Sequence, residues 1–373
     1  MRSPPAIAVA GAGLIGRRHA AAIAAADGAR LHAIVDPDPL TRGVAADHGV
    51  AWFPDLSAMI ATDRPDGIVI ATPNGLHVEN GLQCVASGIP VLVEKPLATD
   101  TNAAASLVCA AAEAGVPLAV GHHRRHNPLV ARAKALLAEG AIGRIVSVHA
   151  MFWLFKPDSY FDIPWRRQAG AGPVFVNLIH DIDLLRHFVG EITCVQARQS
   201  NAVRSHAVAE TAVILFEFES GALGTANVSD TIVAPWSWEL TAGENPAYSK
   251  TDQTCYLIGG TEGSLEIPNL KVWRNPGERS WLEPVLPSTL AAPAADPLVL
   301  QIEDFAATIR GERKPLVPGE EGLKTLAVIE AIDRSACCGK PIWIDGHQHA
   351  GPGPETPSSA RLEAMPMQLG EDR

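Results

Sequence analysis

The chain has 373 residues, 47% of them hydrophobic, which is enough for two domains with sizeable cores and too apolar for a disordered protein. A formal net charge of −11 excludes a general affinity for nucleic acid or an anionic membrane surface, both of which need clustered lysine and arginine. No apolar run approaches the roughly 20 residues of a transmembrane helix, and the six cysteines show neither CxxC pairing nor metal-like spacing, as expected of reduced thiols in a cytoplasmic protein without a bound metal.

From residue 1 to about 123, strands expected near 6–10, 31–35, 67–71, 89–93 and 117–120 alternate with alanine-rich helical stretches, the pattern of a doubly wound parallel sheet. The apolar start could pass for a signal peptide, but the motif that follows explains it better, and the start reads as mature protein. Ala6 to Ala10 runs into Gly11-Ala12-Gly13-Leu14-Ile15-Gly16 and then a helix, the strand-turn-helix setting of a dinucleotide fingerprint. Gly11 suits the tight turn, Gly13 the approach of a pyrophosphate and Gly16 close helix packing, while the helix N-terminus offers free N–H groups to phosphate. The second strand ends in Asp36, near the expected spacing for an acid that accepts from the ribose 2′-hydroxyl and repels a 2′-phosphate. NAD is therefore favoured over NADP, with Arg42 nearby as the residue that keeps NADP in view. Asp36 also reads as a turn residue before Pro37.

Two further strand ends carry chemistry. Thr72-Pro73-Asn74-Gly75-Leu76-His77 follows the strand at 67–71, so Thr72, Pro73, Asn74 and His77 are candidates to line the cofactor cleft, with helix capping by Asn74 and a surface His77 as the alternative. Val91-Leu92-Val93 delivers Glu94-Lys95-Pro96 to the same edge. A proline restricts the residue before it to extended backbone, so Lys95 is held at the strand end, either as a cleft amine or as an ordinary solvated lysine.

After Gly121 the texture changes. A helix begins at Asn127-Pro128 and runs to about Ala138, and β-rich runs recur at 145–154, 192–199, 211–218, 222–230, 236–241, 253–258 and 263–267 without intervening helices, joined in places by turns such as Glu219-Ser220-Gly221. Residues 124–350 thus read as an α+β domain on a large, mostly antiparallel open sheet, with helices near 297–310 and 319–336 and a Pro/Ser-rich tail expected to be disordered over 351–373. Helices for only one face leave the other open, which predicts a homo-oligomer, dimer or tetramer.

The segment Val174 to Phe188 reads as one buried helix. Asn177, His180 and Asp181 share a face at 3.6 residues per turn, with Asp183 on its flank, so His180 is a candidate general base or acid, or else a structural histidine satisfied by Asp183. Upstream, Trp165 and Arg166 suit a polyhydroxylated or carboxylated ligand, or form a salt-bridged loop.

The glycine motif, Ala71-Thr72-Pro73-Asn74 with His77, Glu94-Lys95-Pro96, Gly121-His122-His123-Arg124 and the segment from Gly172 to Asp183 together resemble the Gfo/Idh/MocA family over about residues 5 to 345. The resemblance implies a Rossmann domain followed by an α/β domain whose open sheet serves oligomerisation, and NAD(P)-dependent oxidation or reduction of sugars, cyclitols or related compounds. It also implies that Lys95 and His180 are catalytic and that Arg124 lies near substrate and nicotinamide; Glu94, beside the lysine, is a further cofactor-binding candidate. Asn177, Asp181, Trp165 and Arg166 complete the substrate-side candidates. One departure stands out: where members like inositol dehydrogenase carry an aspartate four residues before the histidine, this chain has Val176. Lys95 and His180 would then suffice, with Asp181 or Asp183 supporting the histidine. The same departure motivates a non-catalytic NAD-binding regulator as the alternative, beside an enzyme that recycles tightly held NAD in a glycosidase- or epimerase-like cycle.

Overall fold

In the computed structural model, which describes residues 3–168 and 170–344, the apolar runs of the N-terminal part become β1 (Ala6–Ala10), β2 (Arg30–Val35), β3 (Ala51–Phe53), β4 (Gly67–Ile70), β5 (Val91–Val93) and β6 (Leu118–Val120). Between them run α1 (Leu14–Ala25), α2 (Arg42–Asp47), α3 (Leu56–Thr62), α4 (His77–Ala86) and α5 (Thr101–Ala114). The strands form one parallel sheet in the order β3-β2-β1-β4-β5-β6. β1, β4, β5 and β6 are buried at every position because helices cover both faces. β3 was not expected: it is an edge strand only partly buried, so it lacks the apolar run that marks β5 and β6. Strand order reverses between β1 and β4, so a crevice opens beyond their carboxyl ends, where such sheets bind ligands.

α6 (Pro128–Ala138) starts as expected, with Asn127 Oδ1 accepting from the Leu129 N–H at 2.9 Å and Pro128 in its first turn. Then follow β7 (Ile145–Trp153), α7 (Ile179–Val189), β8 (Ile192–Ser200), β9 (Thr211–Phe218), β10 (Leu223–Ser229), α8 (Trp238–Thr241), β11 (Tyr256–Gly260), β12 (Ser264–Ile267), β13 (Lys271–Arg274), β14 (Leu286–Thr289), α9 (Pro297–Ile309), α10 (Gly319–Cys338) and β15 (Ile342–Trp343). The second sheet has nine strands in the order β14-β13-β12-β11-β7-β10-β9-β8-β15, antiparallel except for the β7–β10 pair. α6, α7 and α10 pack on one face of it around Phe152, Phe216 and Ile258. The opposite face is open, with Leu215 54% and Leu223 59% exposed beside Val213 and Leu257.

β13, β14 and β15 were not expected either, and two stretches take another conformation than the one expected. The run 236–241, read as a strand, contains the helical turn α8. Trp238 is fully buried there, stacks on Tyr256 at 5.8 Å and donates from Nε1 to Glu244 at 2.7 Å, and seating that ring with its donor satisfied outweighs the strand preference of the residues around it. The single helix expected from Val174 to Phe188 is instead a π-helical turn over Val174–Leu178 leading into α7. The wide turn shifts the register of everything before α7. α9, though far along the chain, lies against α1 and the first sheet through Leu298, Ile302 and Phe305, so the division expected at residue 123 separates the two sheets rather than the helices that cover them. The tail expected from 351 lies outside the described residues.

Candidate active site

The crevice beyond the first sheet is a cleft of about 340 Å³ that continues onto α7 and α8. Four strand ends contribute to it, β1 through Ile15 and Arg18 just past the glycine loop, β4 through Thr72, Asn74 and His77, β5 through Glu94 and Lys95, and β6 through His123 and Arg124. His180, Trp238, Glu239, Glu244, Asn245 and Tyr248 close the opposite wall.

The glycine loop fits a dinucleotide. Gly13 is the N-cap of α1 and has no side chain to satisfy the first-turn N–H groups, and a Cβ placed on it would meet no heavy atom within 4 Å. The loop is therefore shaped around open space and bare donors. Asp36 sits across this space. One oxygen accepts from the Ala12 N–H at 2.7 Å and the other from Asp38 N–H at 2.9 Å, which braces the loop and leaves further lone pairs for hydroxyl donors. Arg42 lies 4.4 Å over the Trp52 ring. Leu14, one residue into the helix, is 86% exposed.

Lys95 donates from Nζ to the main-chain carbonyl of Val176 at 3.0 Å, across the cleft on the π-helical turn. Burial lowers its pKa, and the adjacent Glu94 opposes that. Glu94 is itself buried. Burial alone would raise its pKa, but a 2.6 Å hydrogen bond from His19 Nε2 and the electrostatic pull of His19, Lys95 and His123 hold it at about 2, so it is a fixed anion next to Lys95. Gly121 faces Glu94 so closely that a Cβ would come within 2.9 Å of the carboxylate carbon. His77 is fully buried, with Nδ1 at 2.8 Å from the Pro96 carbonyl and Nε2 at 2.9 Å from the Thr72 carbonyl; burial keeps the ring toward its neutral form, which donates to one of the two, and both nitrogens face main chain, so it ties strand ends together.

His180 projects from the first turn of α7. Burial, followed by the charges of Lys95 and Arg124, drives its pKa well below the ordinary value, so it is a neutral imidazole. Its Nδ1 is buried and makes no hydrogen bond among the described residues. The expected support from Asp181 or Asp183 is not there. Asp181 accepts from Arg124 Nη1 at 3.1 Å and from the Tyr256 hydroxyl, and Asp183 takes Arg125 through Nε at 2.9 Å and Nη2 at 2.7 Å. Burial, with Glu239 adding to it against the pull of Arg124, pushes the Asp181 carboxyl up to about 6.

Of the substrate-side candidates, Arg124 and His180 line the cleft, whereas Asn177, Asp181, Trp165 and Arg166 are not among its lining residues. Asn177 accepts from Lys156 Nζ at 2.8 Å, the consequence of the register shift in the π-helical turn. Arg166 lies 4.1 Å over Tyr160, and Trp165 is half-exposed beside it. Sequence reasoning missed His19, Glu239, Glu244 and Tyr248. The only signal for Glu239 was the Trp238-Glu239 pair inside a run read as a strand.

Comparison with known proteins agrees with this geometry. Residues 6–122 match the oxidoreductase family model with an NAD-binding Rossmann fold, and residues 130–266 match the C-terminal domain model of the same family. The chain is 34% identical over 278 residues to inositol 2-dehydrogenase of Rubrobacter xylanophilus, covering 71% of this chain and 72% of that protein, and 26% identical to D-apiose dehydrogenase of Paraburkholderia graminis over 95% of this chain and 94% of that one. Its fold superposes with a TM-score of 0.75 on the WlbA dehydrogenase of Bordetella pertussis in complex with NADH and UDP-GlcNAcA, at 28% identity, over 91% of this chain and 99% of that one. No helix among the described residues is long and apolar enough to cross a membrane. On the glycine loop, the strand-end lysine and two matched domain models, the chain belongs to the Gfo/Idh/MocA family of NAD-binding oxidoreductases.

Proposed function

We propose that this chain is an NAD-dependent dehydrogenase whose Lys95 and His180 work on one oxygen, the secondary hydroxyl of a sugar, cyclitol or sugar-acid-like substrate. The observation that carries the reading is that a half-buried amine and a buried neutral imidazole line the same cleft, one from the strand ends and one from the opposite wall. Gly11, Gly13, Leu14, Ile15 and Gly16 would hold the dinucleotide phosphates, Asp36 the adenosine ribose, and Thr72, Pro73, Asn74, His77 and Glu94 the wall toward nicotinamide. When bound, NAD supplies the hydride acceptor. A 2′-phosphate would meet the Asp36 carboxylate, which favours NAD over NADP.

Lys95 keeps two ammonium protons beyond the one given to Val176, and these stabilise the negative charge that develops on the substrate oxygen. His180 offers a lone pair to the hydroxyl proton. Its low basicity is matched by its setting, because the cations that depress its pKa, Lys95 and Arg124, also acidify a hydroxyl placed beside them. Arg124 is locked between Asp181 and Glu239 and fixes the shape of the pocket. The relatives named for inositol and apiose support a polyol substrate. The unpaired cysteines support a cytoplasmic protein, and the open apolar face of the second sheet supports a homo-oligomer closed through that face.

The test is the near-ultraviolet absorbance of reduced nicotinamide, with NAD or NADP and a panel of sugars, inositols and sugar acids, on the wild type, Lys95→Ala and His180→Ala. Turnover on one substrate class, lowered by about 10²- to 10⁴-fold in either variant with NAD binding by calorimetry retained, is the expected result. Unchanged turnover in either variant overturns the role given to that residue. Silence of the wild type across the panel, with NAD bound, overturns the dehydrogenase reading in favour of a regulator.

A further inference from the structure

Three carboxylates line the cleft, and they differ in what their oxygens touch. Glu94 is engaged at both oxygens, by His19 and by the Lys95 N–H. Glu244 is engaged at both, Oε1 by His123 at 2.8 Å and Oε2 by Trp238 and Asn127. Glu239 is not. Its Oε1 accepts from Arg124 Nη2 at 2.7 Å, while its Oε2 is buried and has no partner among the described residues. A desolvated carboxylate oxygen without a donor is costly, and on a residue that lines the cleft it is relieved when the side chain turns to a ligand that brings a donor.

The cation beside it points the same way. Arg124 is 3% exposed, its Nη1 and Nη2 go to two different carboxylates, and its plane lies 5.4 Å over Trp238. A guanidinium recognises a ligand carboxylate through a free two-pronged fork, and here the prongs are already divided between Asp181 and Glu239. Lys95, the amine at this end, is committed to the reacting oxygen and to Val176. Arg18, the remaining guanidinium of the lining, stands on α1 beside the phosphate loop.

We propose that Glu239 is the specificity-determining residue of the cleft, accepting a hydrogen bond from a hydroxyl near the reacting carbon, so that the substrate is a neutral polyol ring and compounds with a carboxylate at that position are excluded. The inference rests on the dehydrogenase reading above and narrows its substrate class. A second carboxylate brought against Oε2 meets like charge in a desolvated pocket, with Arg124 already neutralised.

The experiment measures kcat and KM at saturating NAD for matched pairs, a cyclitol or aldose against the corresponding uronic or aldonic acid, on the wild type and on Glu239→Gln. Glutamine keeps the shape and the bond to Arg124 but removes the charge. Wild-type enzyme turns over the neutral member of each pair. In the variant kcat/KM for the neutral member falls by about 10- to 100-fold, the worth of one hydrogen bond to a charged group, while that for the acid rises, because Arg124 has lost one of its two counter-charges. Misfolding cannot produce that gain. Wild-type preference for the acids, or an unchanged neutral-to-acid ratio in the variant, overturns the role of Glu239 and leaves the dehydrogenase reading standing. Wild-type silence on both members, with NAD bound, sinks that reading and this inference together.

Discussion

Gly13 and Gly16 belong to one motif, yet single alanines should separate a binding role from a packing role. Gly13 has φ −69° and ψ −167°, extended backbone open to any residue, and an added Cβ meets nothing within 4 Å. Gly13→Ala should therefore fold normally and gain about 0.4–1 kcal/mol from the reduced freedom of the unfolded chain, a rise in Tm of about one to three degrees. The space it fills is the space a pyrophosphate needs. Crowding there costs about 1–3 kcal/mol, or about 5- to 150-fold in the Kd for NAD. Gly16 is the opposite case. Its Cβ would lie 1.8 Å from the Gly11 carbonyl oxygen, which is main chain and cannot rotate away, so α1 must lift off β1. Gly16→Ala should cost about 3 kcal/mol or more, at the upper end for overpacked sites, with Tm falling accordingly. Thermal unfolding of the apoprotein and calorimetric titration with NAD read the two effects separately. Wild-type NAD affinity in Gly13→Ala, or a loss of stability in it equal to that of Gly16→Ala, would refute the division.

Two further outcomes follow from the charges around Lys95. Val176→Asp puts a carboxylate on the residue whose carbonyl already holds the amine, so burial is opposed by a new negative charge and the lysine stays protonated to higher pH. The alkaline limb of the kcat/KM profile should move upward, and an unmoved limb would show that Lys95 does not act as the cation. Glu94 has a folded-state pKa of about 2 against an ordinary 4.5, so the stability it contributes is complete above pH 4.5 and is lost as pH falls toward 2. Glu94→Gln should flatten the decline of unfolding free energy across that window, as measured by denaturant titration at each pH, and an identical slope in the variant would remove Glu94 as its source.

What could be read from the sequence is what local geometry fixes. The glycine loop, Thr72 and Asn74, Lys95, Arg124 and His180 each stand at a strand end or in a helix turn whose position follows from the residues on either side, and all of them line or border one cleft. What could not be read are partners brought together across long separations. His19 and Glu94 lie 75 residues apart and Arg124 and Glu239 lie 115 apart, and nothing in either neighbourhood announces the other. Local periodicity also failed where the backbone left its usual period. Counting 3.6 residues per turn put Asn177 beside His180, but the π-helical turn carries Asn177 to Lys156 and presents the Val176 carbonyl to Lys95. A main-chain oxygen thus sits at the position from which the resemblance expects an aspartate, and it holds the amine without any side chain to reveal it. The same limit applies to the histidine. Arg124 and Arg125 are consecutive, and between them they take Asp181 and Asp183, so the two carboxylates that sequence spacing assigned to His180 are spent on neutralising buried guanidinium groups. Their attraction to arginine is the stronger, because a buried guanidinium cannot shed its proton and a buried imidazole can. His180 is left a neutral imidazole, the form in which it can accept a proton from a hydroxyl.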